Sequence, residues 1–546
     1  MRLEGSSRAA LHALASILPA TLTAAQCELT QLAPKDAQAD ELFGLSLALS
    51  GKRAAVAAPY VDDKGPESGA VYTWRSEGGN WYEEQKLLTP DGDDYDYFGQ
   101  AVALHDDRLL IGAPWAGASG FDLGPGAAYL YEFDGLEWQF VQSVTDPAGV
   151  PGNDMGSAVA LTATTLFVSS PYSGTPSWSG EVFVYEHDGV SWVQSQTLSA
   201  SDASLGESFG FSIDADPLNE RVLIGCPGDA ANGPGAGAAY VFERQGGVWV
   251  EVVKLSNNVP MPFAQLGFDV GLAGDTALVG ARTHSGAGPA AGAVVAFELQ
   301  GGVWIQTQTL YAADADSGDS FGHAVDVEGD VALLSAIKDD DPHDGSGTVY
   351  LFEREGGTWL QTRKLSASDG QANDQYGQAV ALSGKTALIG AWLHDGNGPE
   401  SGSAYLWRVP GGACLSADVS SLSLAAGGLQ TFSLRTGESY AGLDYLLLGS
   451  MSGTAPGFYI NGNILPLSID DYTIVKLLEP DEYPLENGEG LLDTEGNAVA
   501  RFRVKPASSG LLAGTVMNHA FVVIELTPTL LHVVAASNAV STLLVP

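Results

Sequence analysis

The chain has 546 residues, 45% of them apolar, with 66 Asp and Glu against 24 Lys and Arg and a net charge of −42. That apolar content can build several domains or one large repeat assembly with an extra domain. The acidic balance excludes nucleic acid as a partner, because phosphates need Lys and Arg to neutralise them.

Residues 1–25 read as an export signal. Arg2 and Arg8 precede the moderately apolar run Ala9 to Ala24, and the small residues Thr23 and Ala25 allow cleavage before Gln26. The run carries His12 and Pro19 and is too short and polar to span a bilayer. No later stretch reaches transmembrane length, so the sequence predicts a secreted or cell-surface protein.

From Cys27 onward a unit of about fifty-five residues recurs. Its marker is an aromatic or apolar residue before Gly: Phe43-Gly44, Phe98-Gly99, Met155-Gly156, Phe209-Gly210, Leu266-Gly267, Phe321-Gly322 and Tyr376-Gly377, in steps of 55, 57, 54, 57, 55 and 55 residues. Each unit reads as four short strands. In the sixth, Phe321 to Val327 alternates as a half-buried strand does, and Asp330 to Ala336 is a mostly apolar second strand. Thr348 to Arg354 follows, then a Gly356-Gly357 turn and Trp359 to Leu365. Second strands end in small residues, often before Pro, as in Ala58-Pro59, Ala113-Pro114 and Ser170-Pro171. Trp81, Trp138, Trp192, Trp249, Trp304 and Trp359 open fourth strands and suit packing between neighbouring sheets. A four-stranded sheet exposes two apolar faces, which only neighbouring units can cover. The expected fold is all-β, a seven-bladed β-propeller.

Seven first strands accompany only six Trp-led fourth strands. The strand beginning at Cys27 is the spare one, and it is expected to complete the last blade and remove an exposed edge. Cys27 and Cys414 map near one corner of that blade, so in an exported protein a Cys27–Cys414 disulfide would lock the ring. Cys226 reads as a buried free thiol.

Carboxylates crowd two sets of loops that emerge on one face of such a ring. Asp314, Asp316 and Asp319 join two units, and Asp339, Asp341 and Asp344 join a second strand to a third. Clustered carboxylates are hard oxygen ligands, and calcium is the ion they would hold, although the spacing lacks the full EF-hand pattern. Trp115, Tyr172, Trp178 and Trp392 are loop aromatics placed to bind sugar or protein. Signals for catalysis are poor. Gly206-Glu207-Ser208-Phe209-Gly210 and Gly318-Asp319-Ser320-Phe321-Gly322 fit the nucleophile-elbow pattern, but each is the repeat marker with its preceding loop and no helix follows. His323, after the sixth marker, is placed to face the ring axis.

The Phe-Gly and Gly-Ala-Pro signatures, with Lys364-Leu365-Ser366-Ala367-Ser368-Asp369 before a marker, resemble the FG-GAP repeat family over roughly Cys27 to Cys414. The resemblance extends to the heads of integrin alpha chains and more closely to secreted bacterial repeat proteins. It implies a propeller and a bacterial, exported origin. The calcium loop that integrin-like blades often carry between first and second strands does not carry over, because here those connections are as short as Ser50-Gly51.

The repeat occupies residues 26–415. Residues 416–546 alternate apolar runs with Gly, Pro and Asn turns and read as a small β-sandwich-like domain. The functional expectation is a non-catalytic binding or adhesion module that recognises an extracellular protein or glycan through the acidic loop face. The alternatives are a polysaccharide lyase or hydrolase, and a structural cell-surface component.

Overall fold

The structure is a computed structural model. It describes residues 28–409 except 78–79, 118–122 and 147, and beyond these 414–417, 421–423, 425–426, 428–435, 442–451, 458–460, 463–465, 484–493, 497–504, 516–526, 531–536 and 540–545. All regular secondary structure in the described residues is β-strand. The chain divides into two compact units, Glu28–Gly412 and a second containing Ala413–Pro546. The expected export signal lies outside the described residues.

The first unit is built from seven four-stranded antiparallel sheets. Six are continuous in sequence, spanning 47–87, 101–145, 159–198, 213–255, 266–310 and 321–365. The seventh takes Val380–Ser383, Thr386–Ala391 and Ser403–Arg408, and its outer strand is Glu28–Leu32 from the start of the unit. Gln31 lies opposite Tyr405 and Leu32 opposite Ala404. The Gln31 amide donates to Ser403 Oγ at 3.0 Å and to the Tyr405 hydroxyl at 3.2 Å.

Seven apolar clusters hold the sheets together, each shared by two successive sheets. Leu109, Ile111 and Trp138 of the second sheet pack on Ala55, Ala57 and Val71 of the first. Leu32, Leu388 and Leu406 of the seventh pack on Val56 and Tyr72 of the first. The first strands touch in succession around to the seventh and back to the first, so the arrangement is a closed ring, a β-propeller. Closure removes the unpaired edge that a linear array would leave.

The repeat marker works at these junctions. Phe43, Phe98, Met155, Phe209, Leu266, Phe321 and Tyr376 are all buried. Met155 bridges Gly126 and Phe98 bridges Gly69, each at the start of the preceding sheet's third strand. A Cβ at Gly126 would sit 2.3 Å from the Met155 carbonyl oxygen, so only glycine lets the two backbones meet. The fourth-strand tryptophans are tied across the same junctions. Gln85 accepts from the Trp138 backbone N–H at 2.7 Å and donates to its carbonyl at 3.1 Å; Gln142, Gln196 and Gln308 do the same for Trp192, Trp249 and Trp359.

The second unit contains a four-stranded sheet and a six-stranded sheet. Phe432 and Phe502 of the smaller share one apolar cluster with Leu447, Phe521 and Val523 of the larger, which is sandwich packing. Cys414 begins the strand Cys414–Ala417, which pairs with Gly428–Arg435 in this unit rather than forming part of a propeller sheet. Cys27 lies outside the described residues, and so does the expected Cys27–Cys414 bond. Cys226 is a buried free thiol, and its Sγ donates to the Glu207 carbonyl at 3.2 Å.

Candidate functional site

The first strands surround a central channel, and their side chains satisfy one another's backbones. An innermost strand has one edge of N–H groups with no fifth strand to bond them. Side chains from the preceding sheet supply acceptors instead. Asp214 accepts from Leu272 N–H at 2.7 Å, Asp269 from Val325 N–H at 2.7 Å and Asp326 from Leu382 N–H at 2.6 Å. Burial raises all three carboxyls, to about 6 for Asp214, about 7 for Asp269 and about 8 for Asp326, and repulsion adds to it, from Asp216 on Asp214, from Asp214 on Asp269 and from Asp214 and Asp269 on Asp326.

A cavity of about 560 Å³ opens at one end of this channel, where the first strands begin and the second strands end. Tyr60, Trp115 and Tyr172 stand two residues past the second strands of the first three sheets, and all line it. Tyr97 and Asp154, each just before a marker, line it too. Their φ values of 53° and 54° are left-handed, the conformation adopted by the residue before all seven markers. The Tyr97 ring meets Trp115 edge-on at 4.7 Å and Tyr60 at 5.2 Å, and its hydroxyl donates to Glu67. Burial raises the Asp154 carboxyl to about 6, partly offset by a bond from the Trp115 side chain; its Oδ1 is buried with no partner. Asp269 and His323 lie in the cavity wall. Burial lowers His323 to about 4, so its ring is neutral at ordinary pH.

Of the four aromatics singled out from the sequence, the structure brings Trp115 and Tyr172 together in this mouth. Trp178 is 61% exposed and outside the cavity lining. Trp392 is also outside it and donates its indole N–H to Gln375. Tyr60, Tyr97 and Asp154 went unread. Their signal was positional, since each occupies the same place in its repeat as another mouth residue.

The acidic loops contain a lysine. Lys364 Nζ lies 2.7 Å from Asp314, 3.3 Å from Asp339 and 3.2 Å from Asp341. The Tyr350 hydroxyl donates to Asp314 at 2.9 Å and also to Asp339. Burial alone would lower the Lys364 ammonium, and its bonds to these carboxylates raise it instead. Asp319 accepts from the backbone N–H of Asp316 at 2.6 Å; Asp344 offers its backbone carbonyl to Asn373. Among the described residues no group of three or more acidic, His or Cys side chains is arranged to hold a metal ion. The same clamp recurs where Lys86 meets Asp36 and Asp63, and where Lys254 meets Asp202 and Asp229. In the seventh sheet Gln31 replaces the lysine, and His394 bonds Asp374 at 2.9 Å and lies 3.5 Å from Asp369. Replacing Lys364 by Met is expected to cost about 2–4 kcal/mol, because buried Asp339 loses its cation; urea unfolding of the two proteins measures it.

Ser208 and Ser320 have φ values of 57° and 61° and precede buried Phe209 and Phe321, with a strand rather than a helix beyond. Neither has the strand-turn-helix setting of a nucleophile elbow.

The FG-GAP repeat family matches residues 28–74, 81–131, 192–242, 304–352 and 359–407. The chain is an FG-GAP repeat protein. Each matched segment begins on the outer strand of one sheet and ends on the third strand of the next, so the sequence repeat is offset from the sheet by one strand. That offset leaves Glu28–Leu32 to complete the seventh sheet. The units marked by Met155-Gly156 and Leu266-Gly267 fall between the matches.

No curated protein matches the chain. Solved structures similar to it include the beta-propeller domain of the Trilobed protease from Pyrococcus furiosus, at 6% identity over 63% of this chain and 90% of that one, TM-score 0.34. Another is the Pyrococcus horikoshii acylaminoacyl peptidase, at 7% identity over 73% of this chain and 58% of that one, TM-score 0.37. No helix in the described residues is long and apolar enough to cross a membrane.

Proposed function

We propose that this FG-GAP protein is an exported, non-catalytic binding or adhesion module whose channel mouth recognises an extracellular glycan or protein. The observation that carries this reading is the run of Tyr60, Trp115 and Tyr172 at equivalent positions in three consecutive sheets, with Tyr97 between them, over one open cavity. Aromatic faces on a rigid scaffold bury much apolar area at little entropic cost and leave polar edges for specificity. The expectation from sequence placed recognition on the acidic loops. The mouth is better suited, because many loop carboxylates are engaged by lysines and backbone groups. Export rests on the character of residues 1–25, with a bacterial cell surface or medium as the setting.

Glycan and peptide arrays with the parent and Trp115→Ala proteins, with and without EDTA, test the reading. Selective binding that Trp115→Ala weakens about tenfold or more, without turnover of the bound polymer, is expected. Loss on EDTA treatment would bring calcium into the recognition. The rival reading, a polysaccharide lyase or hydrolase, draws on Asp269 and His323 in the cavity wall; chain shortening of an array polymer would favour it. Binding that ignores Trp115 would remove the mouth as the site.

A further inference from the structure

Across the ring from the aromatic run, beside the cavity-lining Phe268 of the fifth sheet, Arg282 has no carboxylate partner among the described residues. Arg53, Arg108, Arg221, Arg244 and Arg354 each lie within 4 Å of a carboxylate. Arg282, immediately after the second strand of the fifth sheet, has none. It is half-buried, its guanidinium lies 3.6 Å from the centre of the Phe268 ring, and its Nε donates to Gln265 at 3.0 Å. Among the described residues the Nη groups have no acceptor. Phe268 stands in a row of cavity-lining rings, 5.0 Å from Phe211 and 5.1 Å from His323. The His323 Nδ1 is buried without a partner. Lys338, two residues past the second strand of the sixth sheet, is exposed and makes no ion pair among the described residues. Beside Arg282, a groove of about 250 Å³ is lined by Phe211, Phe263 and Gln265, with Phe263 67% exposed.

In a chain with 66 acidic residues, a half-buried guanidinium held flat by a ring and free of carboxylates is set to take an oxyanion from outside. Asp269, a carboxyl of the cavity wall on the same sheet, is committed to the Val325 N–H. We propose that Arg282 binds the carboxylate of an acidic saccharide whose sugar faces rest on Tyr60, Trp115 and Tyr172. The inference rests on the mouth being the ligand site. The acidic surface does not forbid an anionic ligand, since exposed charges beyond about 8 Å are largely screened at physiological salt, while the Arg282 contact is direct.

Titration calorimetry with trigalacturonate, neutral galactotriose and triglutamate, on the parent, Arg282→Gln, Arg282→Lys and Trp115→Ala proteins, tests it. Trigalacturonate is expected to bind the parent about tenfold or more tightly than galactotriose. Arg282→Gln should erase that preference, Arg282→Lys should keep part of it, and Trp115→Ala should weaken both sugars. Unchanged thermal unfolding of the variants separates a lost contact from a lost fold. Equal binding of the two sugars by the parent, a preference that survives Arg282→Gln, or triglutamate binding as tightly as trigalacturonate would each overturn the assignment and leave the mouth as a site. No sugar binding and no array ligand sensitive to Trp115→Ala would overturn the mouth itself.

Discussion

Removing residues 1–33 is expected to lower the unfolding temperature by roughly 10–20 °C and to make the protein aggregate. The seventh sheet would lose its outer strand, exposing the Ser403–Arg408 edge that now pairs with Glu28–Leu32. Leu32 would leave the cluster that joins the seventh sheet to the first. Burying a leucine contributes about 2–3 kcal/mol, and each net ladder hydrogen bond about 1 kcal/mol. Gln31 would no longer bond Ser403 and Tyr405, and Asp36 would stay without Lys86 if the segment after the cut frayed. Scanning calorimetry with light scattering reads both effects. Deleting an equal length from the C-terminal end, residues 514–546, should leave the propeller transition within a few degrees, because that segment belongs to the other unit.

Asp326→Asn is expected to stabilise the propeller at pH 8.5 by several degrees and to change it little at pH 5. Asn keeps an oxygen to accept from Leu382 N–H but cannot ionise. In the parent, burial and the neighbouring Asp214 and Asp269 raise Asp326 to about 8. The folded state therefore holds protons that the unfolded chain has released, and stability falls as pH climbs from the ordinary carboxyl range toward 8. Asp269 and Asp214, raised to about 7 and about 6, act in the same direction. So does His394: burial opposes its protonation, but its bonds to Asp369 and Asp374 raise it to about 9, and the stability it contributes below its unfolded value is lost as pH rises through about 9. His323 acts oppositely: burial lowers it to about 4, so its contribution is present above its unfolded value and lost as pH falls through about 4. The unfolding temperature should decline steadily from about pH 5 toward pH 9. A flat profile from pH 5 to 9, or no gain from Asp326→Asn at pH 8.5, would remove the interior carboxylates from this account.

The ring was legible because its signals repeat. The aromatic-Gly markers, the glycines that open third strands and the Trp-led fourth strands recur with little drift, and in the structure each meets the next sheet. The spare strand before Phe43 was countable, which made closure readable without coordinates. Contacts that cross repeats with no fixed residue type were not legible. Ser46 and Asp269 occupy the same position in their units, and each accepts from a backbone N–H one sheet on, yet the alternation of an inner strand looks like that of any half-buried one. The ion pairing inside the acidic loops was hidden for a related reason. Lys364 comes from the fourth strand of its sheet, Asp339 from the loop between the second and third, and Asp314 from the connection before that sheet, so the ammonium among the carboxylates is a product of the fold. The mouth was half-read: Trp115 and Tyr172 stood out as loop aromatics, while Tyr97 and Asp154 sat at a marker-adjacent place that other units fill with Leu, Ser or Gln.

The central claim is that one end of the propeller segment completes the sheet formed by the other. A Leu32→Cys, Ala404→Cys pair in a Cys27→Ser, Cys414→Ser background tests it most directly, because residues 32 and 404 lie directly opposite each other on the two paired strands. Mild oxidation followed by peptide mass mapping should give one intramolecular 32–404 disulfide in most of the monomer. Recovery of two free thiols, or of the bond only between separate chains, would contradict the closed ring.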